Sequence, residues 1–161
     1  MYLSGIDVTN TSSTPLYGLG DIGANVTSAG TKIYMYVKAS GAITGAGYVV
    51  DIDGSAFTAV MSTTTTTAPG TGAGKSVGVA PLAFADTYYG WVQVYGAAVV
   101  RVAASAAAYT ILNSTATAGQ LDDDATAGAE VIDGIVLDVA NGGSAGTAAG
   151  WLNWPAVGRT L

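Results

Sequence analysis

The best-spaced chemical motif in the chain is "PGTGAGKS", Pro69 to Ser76. Gly74, Lys75 and Ser76 stand as in a phosphate-binding loop, where backbone amides and a lysine cradle phosphates, but Pro69 occupies the place of the first glycine. Such a loop needs a buried strand before it and a helix N-terminus after it, so that N–H groups face the anion. Here five threonines precede it and "VGVAPL", with Pro81, follows. "GIVLD", ending at Asp138, imitates a magnesium-holding acidic strand but lacks the same context. The stretch from Thr63 to Ser76 therefore predicts a mobile, glycine-rich surface loop, and no nucleotide or other cofactor is expected.

"DIDG", Asp51 to Gly54, and the acidic run Asp122 to Asp124 carry oxygen ligands of the kind calcium takes. A helical calcium loop starting at Asp51 would need a carboxylate where Ser62 stands. The competing reading is that Asp and Gly form turns here, Asp capping its own backbone, and no metal site is assigned. A catalytic centre is harder to assemble. The sequence has no His and no Cys, so a nucleophile would be a Ser, Thr or Lys, and no nucleophile elbow occurs in a strand-turn-helix setting. A carboxylate pair for glycoside cleavage cannot be placed from spacing, and the acids sit mainly in turn-like contexts. No enzyme is expected and no catalytic residue is assigned.

At 161 residues the chain is long enough for one domain with a substantial core. Only 10% of its residues are charged, and Gly, Ala and Thr dominate, a composition poor in helix formers. The five cations (Lys32, Lys38, Lys75, Arg101, Arg159) are scattered in a chain of net charge −6, which offers no patch for a run of phosphates. Nucleic acid is thus not an expected partner. No apolar run approaches the roughly 18 residues of a membrane span, and "MYLSGIDVTN" has no signal-like pattern, so neither a membrane partner nor standard export is expected.

The positions of these residues depend on strands. Residues 1–30 carry isolated large side chains, Tyr2, Leu3, Ile6, Leu16, Tyr17, Leu19 and Ile22, without a sustained period, and predict an extended N-terminal arm. From Thr31 the period is two: Ile33, Met35 and Val37 alternate with Tyr34, Tyr36 and Lys38. Short strands are expected in "GYVVDIDG", "FTAVMS", "VGVAPLAFA" and "EVIDGIVLDVA", and one short strand plus turns in "YTILNSTATAGQLDDDATAG". In "YYGWVQVYGAAVVRVAAS", Trp91, Gln93 and Tyr95 share one face and Val92 and Val94 the other; beyond Gly96, Val100 and Val102 oppose Val99 and Arg101. The break at Gly96 predicts a hairpin. "NGGSAGTAAG" is expected to be a flexible loop before "WLNWPAVGRTL". The fold class expected is all-β: a compact antiparallel β-barrel or sandwich of about 7–9 short strands, with the arm at residues 1–30 and a barrel domain at 31–161.

The order "GTKIYMYVKASGAITGAGYVVDID", then "KSVGVAPLAFADTYYGWVQVYGAAVVRVAA", then "LNSTATAGQLDDDATAGAEVIDGIVLDVA" resembles small tailed-phage virion proteins, in particular head decoration (cement) proteins. The resemblance runs from about residue 30 to residue 157 and lies in composition and order, not in a catalytic signature. It implies a non-enzymatic structural protein on the capsid exterior, assembled in the host cytoplasm and bridging major capsid subunits. It also implies self-association as a trimer or another small homo-oligomer. On that reading Tyr2, Leu3, Ile6, Leu16, Tyr17 and Leu19 are the candidate capsid or subunit contacts, because binding energy concentrates in a few apolar anchors. The alternative is a tail or baseplate component or a glycan-binding module, with Tyr34/Tyr36 or Trp91/Tyr95 stacking on sugars. An ice-binding solenoid would repeat its Thr rows, and "TTTTT" occurs once.

Overall fold

The computed structural model describes residues 2–161; Met1, part of the expected arm, lies outside them. Among the described residues there are eleven strands and no helix. They are β1 (Tyr2–Ser4), β2 (Ile22–Thr27), β3 (Gly30–Ala39), β4 (Val49–Ile52), β5 (Thr58–Met61), β6 (Ser76–Val79), β7 (Tyr89–Val102), β8 (Asn113–Ser114), β9 (Leu121–Asp122), β10 (Glu130–Leu137) and β11 (Gly146–Thr160). The chain is all-β, as its composition and period-two runs predict. The strand number exceeds the expected seven to nine because residues 1–30 contribute β1 and β2 and the one short strand expected between Tyr109 and Gly128 is two, β8 and β9.

All eleven strands belong to one sheet, which closes on itself twice through β7. One circuit runs β3-β5-β4-β6-β11-β7 and back to β3; the other runs β11-β10-β8-β9-β7 and back to β11. Each circuit has an apolar filling. Val37, Ile43, Ile52, Phe84, Val92 and Val94 pack together in the first, and Val100, Val102, Leu112, Leu121, Leu137 and Leu152 in the second. Strand β4 stands between them. Its Val49 joins the second cluster and its neighbour Val50 the first, and all four of its residues are buried, as expected of a strand covered on both faces.

Gly96 does not make a hairpin. Strand β7 continues unbroken through it, pairing with β3 on one stretch and with β11 from Tyr95 to Val102. At this glycine φ is 95°, and a Cβ would sit 2.4 Å from the Thr31 carbonyl oxygen. The β3–β7 register also shifts beside it, between Ile33 and Tyr34. Gly96 is therefore a kink with close backbone approach, where one alternating set leaves the first core and enters the second. The expected loop "NGGSAGTAAG" is corrected in its second half, where β11 begins at Gly146, for a related reason. Gly146 to Gly150 pair with Val102 to Ala98, and a Cβ on Gly150 would meet the Val136 carbonyl at 2.4 Å. Small residues there serve close strand approach, which resembles loop composition when read alone.

The expected division at residue 30 is also corrected. Strands β2 and β3 form a hairpin in register from Ile22↔Met35 to Thr27↔Gly30, and β1 adds to β2 in parallel. The N-terminal residues are an edge of the sheet and a cover on it, not a separate extended arm. Gly23 interrupts the apolar alternation of β2 because Ile6 and Trp91 side chains occupy the place of its missing Cβ, at 2.7 and 3.2 Å.

Candidate functional site

The N-terminal cover is built from the sheet outward. β3 and β7 pair antiparallel with Tyr36 opposite Trp91, which places Tyr34, Tyr36, Tyr89 and Trp91 on the face turned away from the first core. Residues 3–17 lie across that face. Ser12 exchanges both backbone hydrogen bonds with Tyr89 (2.9 and 2.8 Å), the Leu16 N–H donates to the Tyr36 hydroxyl (3.1 Å), and Asn25 Nδ2 donates to the Ile6 carbonyl (2.9 Å). Tyr17 completes an aromatic cluster, its ring 5.2 Å from Tyr36 and 5.1 Å from Trp91, while Tyr36 and Trp91 are 5.0 Å apart. Such edge and tilted contacts contribute beyond the area they bury. A cavity of about 60 Å³ remains between Tyr17, Tyr36, Tyr89, Trp91 and the loop from Asp7 to Ser12. Trp91 Nε1 is the one buried side-chain polar atom without a hydrogen-bond partner among the described residues.

The loop itself is held by Asp7. Its carboxylate accepts from Thr9 Oγ1 (2.6 Å), Asn10 Nδ2 (2.8 Å) and the Thr9 N–H (2.8 Å), and these bonds, the Thr9 hydroxyl first, lower its pKa to about 2. The charged form is thus the one the turn requires.

The six expected contact residues separate here. Ile6 is buried at 7% exposure within the aromatic cluster, and Leu3 and Tyr17 are half-buried against it. Tyr2 enters the sheet by its backbone, paired with Ile22. Leu16 and Leu19 stay outside, at 68% and 39% exposure. Ile6 is therefore corrected from contact to core, because the exposed face of β3 and β7 needs an apolar cover and residues 3–17 supply it. The aromatic faces expected to stack on sugars are corrected as well: Tyr34, Tyr36 and Trp91 are 2–4% exposed. Tyr95, on the same strand, instead meets Trp151 edge to face at 5.6 Å.

The threonine run is anchored rather than mobile. Asp51, 1% exposed within β4, accepts hydrogen bonds from Ser62 Oγ and Thr66 Oγ1. Burial pushes its carboxyl above the usual range, opposed by those two donors and by the charge of Lys75. Thr67, fully buried, donates to the Thr63 carbonyl (2.8 Å) and meets the Ser114 hydroxyl (3.0 Å), which in turn accepts from the Glu130 N–H (3.0 Å). Sequence reasoning missed this network because threonine hydroxyls have no periodicity that marks burial. The available signal was Asp51 itself, an acid inside the apolar run "YVVDI" that demands buried donors.

Beyond it, Gly72 lies flat on the Thr66–Thr67 backbone, the Gly74 N–H donates to the Val157 carbonyl (3.0 Å), and Ser76 opens a strand where a phosphate loop opens a helix. Asp53 behaves as the turn former expected, accepting from the Ala56 N–H, the Ser55 hydroxyl and the Ser55 N–H; these bonds, Ala56 first, lower its pKa to about 2. No group of three or more His, Cys, Asp or Glu converges among the described residues. No protein-family model matches the chain, and no curated protein is found to be similar to it.

Proposed function

We propose that this chain is a virion structural protein that attaches to the outer surface of a phage capsid and stabilises it by bridging major capsid subunits. Its own copies associate into a small oligomer on the lattice. The observation that carries this reading is the N-terminal segment, which leaves Leu16 and Leu19 exposed on a backbone fastened to the sheet at Ser12, Leu16 and Gly20. An apolar pair held on a fastened loop loses little entropy when it docks. One such contact is weak, but attachment through several copies raises the effective affinity without new chemistry. A standard interface takes about 800 Å² from each partner, a small part of the 6873 Å² this chain exposes. The resemblance in segment order to head decoration proteins points the same way.

Because β2 and the aromatic cover belong to the folded body, deleting residues 1–30 would test folding and not docking. The informative variant is Leu16→Asp/Leu19→Asp, with Val26→Asp (84% exposed, on β2) as the control. Against undecorated phage heads, occupancy of the double variant is expected to fall at least about tenfold while the control binds as the parent does. If parent and double variant bind equally, the N-terminal segment is not the contact. Failure of the parent to bind any head would remove the capsid reading.

A further inference from the structure

Aromatic rings do reach the surface on the outer face of the second circuit, where β11 runs between β7 and β10. Leu152 faces the second core, so Trp151 and Asn153 on either side of it face outward. Trp151 lies opposite Val136 on β10 and Ala97 on β7, and Asn153 lies opposite Tyr95. Between the pairs Ile135↔Leu152 and Asp133↔Ala156, β10 has one residue, Gly134, and β11 has three, Asn153 to Pro155. The strand bulges there. At Gly134 φ is 82°, and a Cβ would sit 2.7 Å from the Asn153 carbonyl oxygen. A hollow of about 310 Å³ opens beside it, lined by Gly134, Ile135, Val136, Trp151 and Asn153.

The bulge also displays a strained ring. Trp154 has a φ of 49°, an outlier for a bulky residue, and is 47% exposed. Among the described residues it belongs to none of the apolar clusters, so core packing does not account for the strain. Strain of this kind, held at the surface, points to function. Trp151 meets Tyr95 edge to face at 5.6 Å, which fixes its ring as a platform. The Asn153 carboxamide in the same hollow is exposed and makes no side-chain hydrogen bond among the described residues. No Lys or Arg lines the hollow, and Asp133 adjoins Gly134 in a chain of net charge −6. An anionic ligand is therefore disfavoured.

We infer that this hollow binds a neutral glycan, with one sugar ring lying on Trp151, Asn153 bonding its hydroxyls and Trp154 carrying a neighbouring ring. A pyranose has an apolar C–H face and a rim of hydroxyls. It matches an indole beside a carboxamide that both donates and accepts. The volume falls at the lower end of small-ligand sites, about 300–1,000 Å³, which combine mostly apolar walls with a few polar groups. None of these residues belongs to the N-terminal segment, so the inference stands or falls apart from the capsid reading.

The test is a printed array of neutral and anionic oligosaccharides probed with the full chain. The strongest neutral binder is then titrated into isotope-labelled protein and followed by NMR. Binding confined to neutral glycans is expected, and the indole N–H signals of Trp151 and Trp154 should shift while that of Trp91 stays. Trp151→Ala and Asn153→Ala should each weaken binding at least about tenfold, with the Trp91 signal reporting that the fold is kept. Trp154→Gly removes ring and strain together, so binding should weaken while the unfolding midpoint does not fall. A fall in that midpoint would make the ring structural and remove it from the site. Leu16→Asp/Leu19→Asp should bind the glycan as the parent does. Absence of binding to any neutral glycan overturns the site. So does binding that survives both Trp151→Ala and Asn153→Ala, or capture of a proline-rich peptide in place of glycans.

Discussion

Two positions on one strand show opposite fates for the same parity. Trp91 and Val99 both lie on β7 and both face away from the apolar clusters that fill the two circuits, yet Trp91 is 2% exposed and Val99 is 55% exposed. The difference is the cover. Residues 3–17 lie over the β3–β7 face, whereas among the described residues Val99 belongs to none of the apolar clusters, and on the β7–β11 face Tyr95 meets Trp151 edge to face. The second face of a strand therefore becomes core or surface according to what a distant segment does, and the strand's own residues do not announce which.

The largest expected effect breaks the covered half. Trp91→Ala should cost about 3–5 kcal/mol in urea unfolding, the range for a large buried aromatic. Val99→Ala should stay within about 0.5 kcal/mol. If the two costs were equal, the N-terminal segment would not be a stable cover.

The next effect concerns the kink that separates the two halves. Gly96→Ala forces a side chain into positive φ and against the Thr31 carbonyl, whereas Gly41→Ala meets the same backbone strain (φ 103°) with nothing within 4 Å. Thermal unfolding should show Gly96→Ala destabilised by about 1–3 kcal/mol more than Gly41→Ala. Equal losses would mean that strain alone, and not close approach of β3 to β7, requires the glycine.

A smaller effect separates the two acids of "DIDG" by pH. The folded-state pKa of Asp51 is raised above the ordinary 3.8, so its contribution is fully present below that value and is lost as pH rises through the raised one. Asp53 is lowered to about 2, so its contribution is present above 3.8 and is lost as pH falls through about 2. Asp51→Asn should flatten the decline of stability as pH rises above 3.8, and Asp53→Asn should leave that decline unchanged. Denaturant midpoints across the range decide it, and identical slopes for parent and Asp51→Asn would contradict a buried, donor-caged carboxyl. The smallest effect is expected for Leu16→Ala, below about 0.5 kcal/mol on stability, since its side chain supports no core.

Much of the fold was legible. Alternation over Ile33 to Lys38 and over Trp91 to Val94 correctly separates the residues that face the first core from those that face the aromatic cluster. The candidate site was legible only in part: the scattered anchors of residues 1–30 were visible, but not that Ile6 turns inward while Leu16 turns out. Residues 5–20 have no period because they follow the contour of Tyr36 and Trp91, whereas Tyr2–Ser4 and Ile22–Thr27 on either side of them pair in the sheet.

What the sequence determined by itself is the set of things that depend on a residue and its immediate neighbours. The period of two, the scarcity of helix formers and the turn chemistry of Asp53 all act over a few residues, and each appears in the structure. What tertiary structure decided is every pairing between distant segments: β1 and β2 joining β3, β7 running on through Gly96, "GTAAG" becoming strand against Val100, and Thr66 and Thr67 closing over Asp51 and Ser114. The physical reason is that glycine, alanine and threonine suit both a loop and a tightly approached strand, so their composition leaves the outcome open. The partner's backbone and buried polar groups then select one of the two, and those lie far away in the chain.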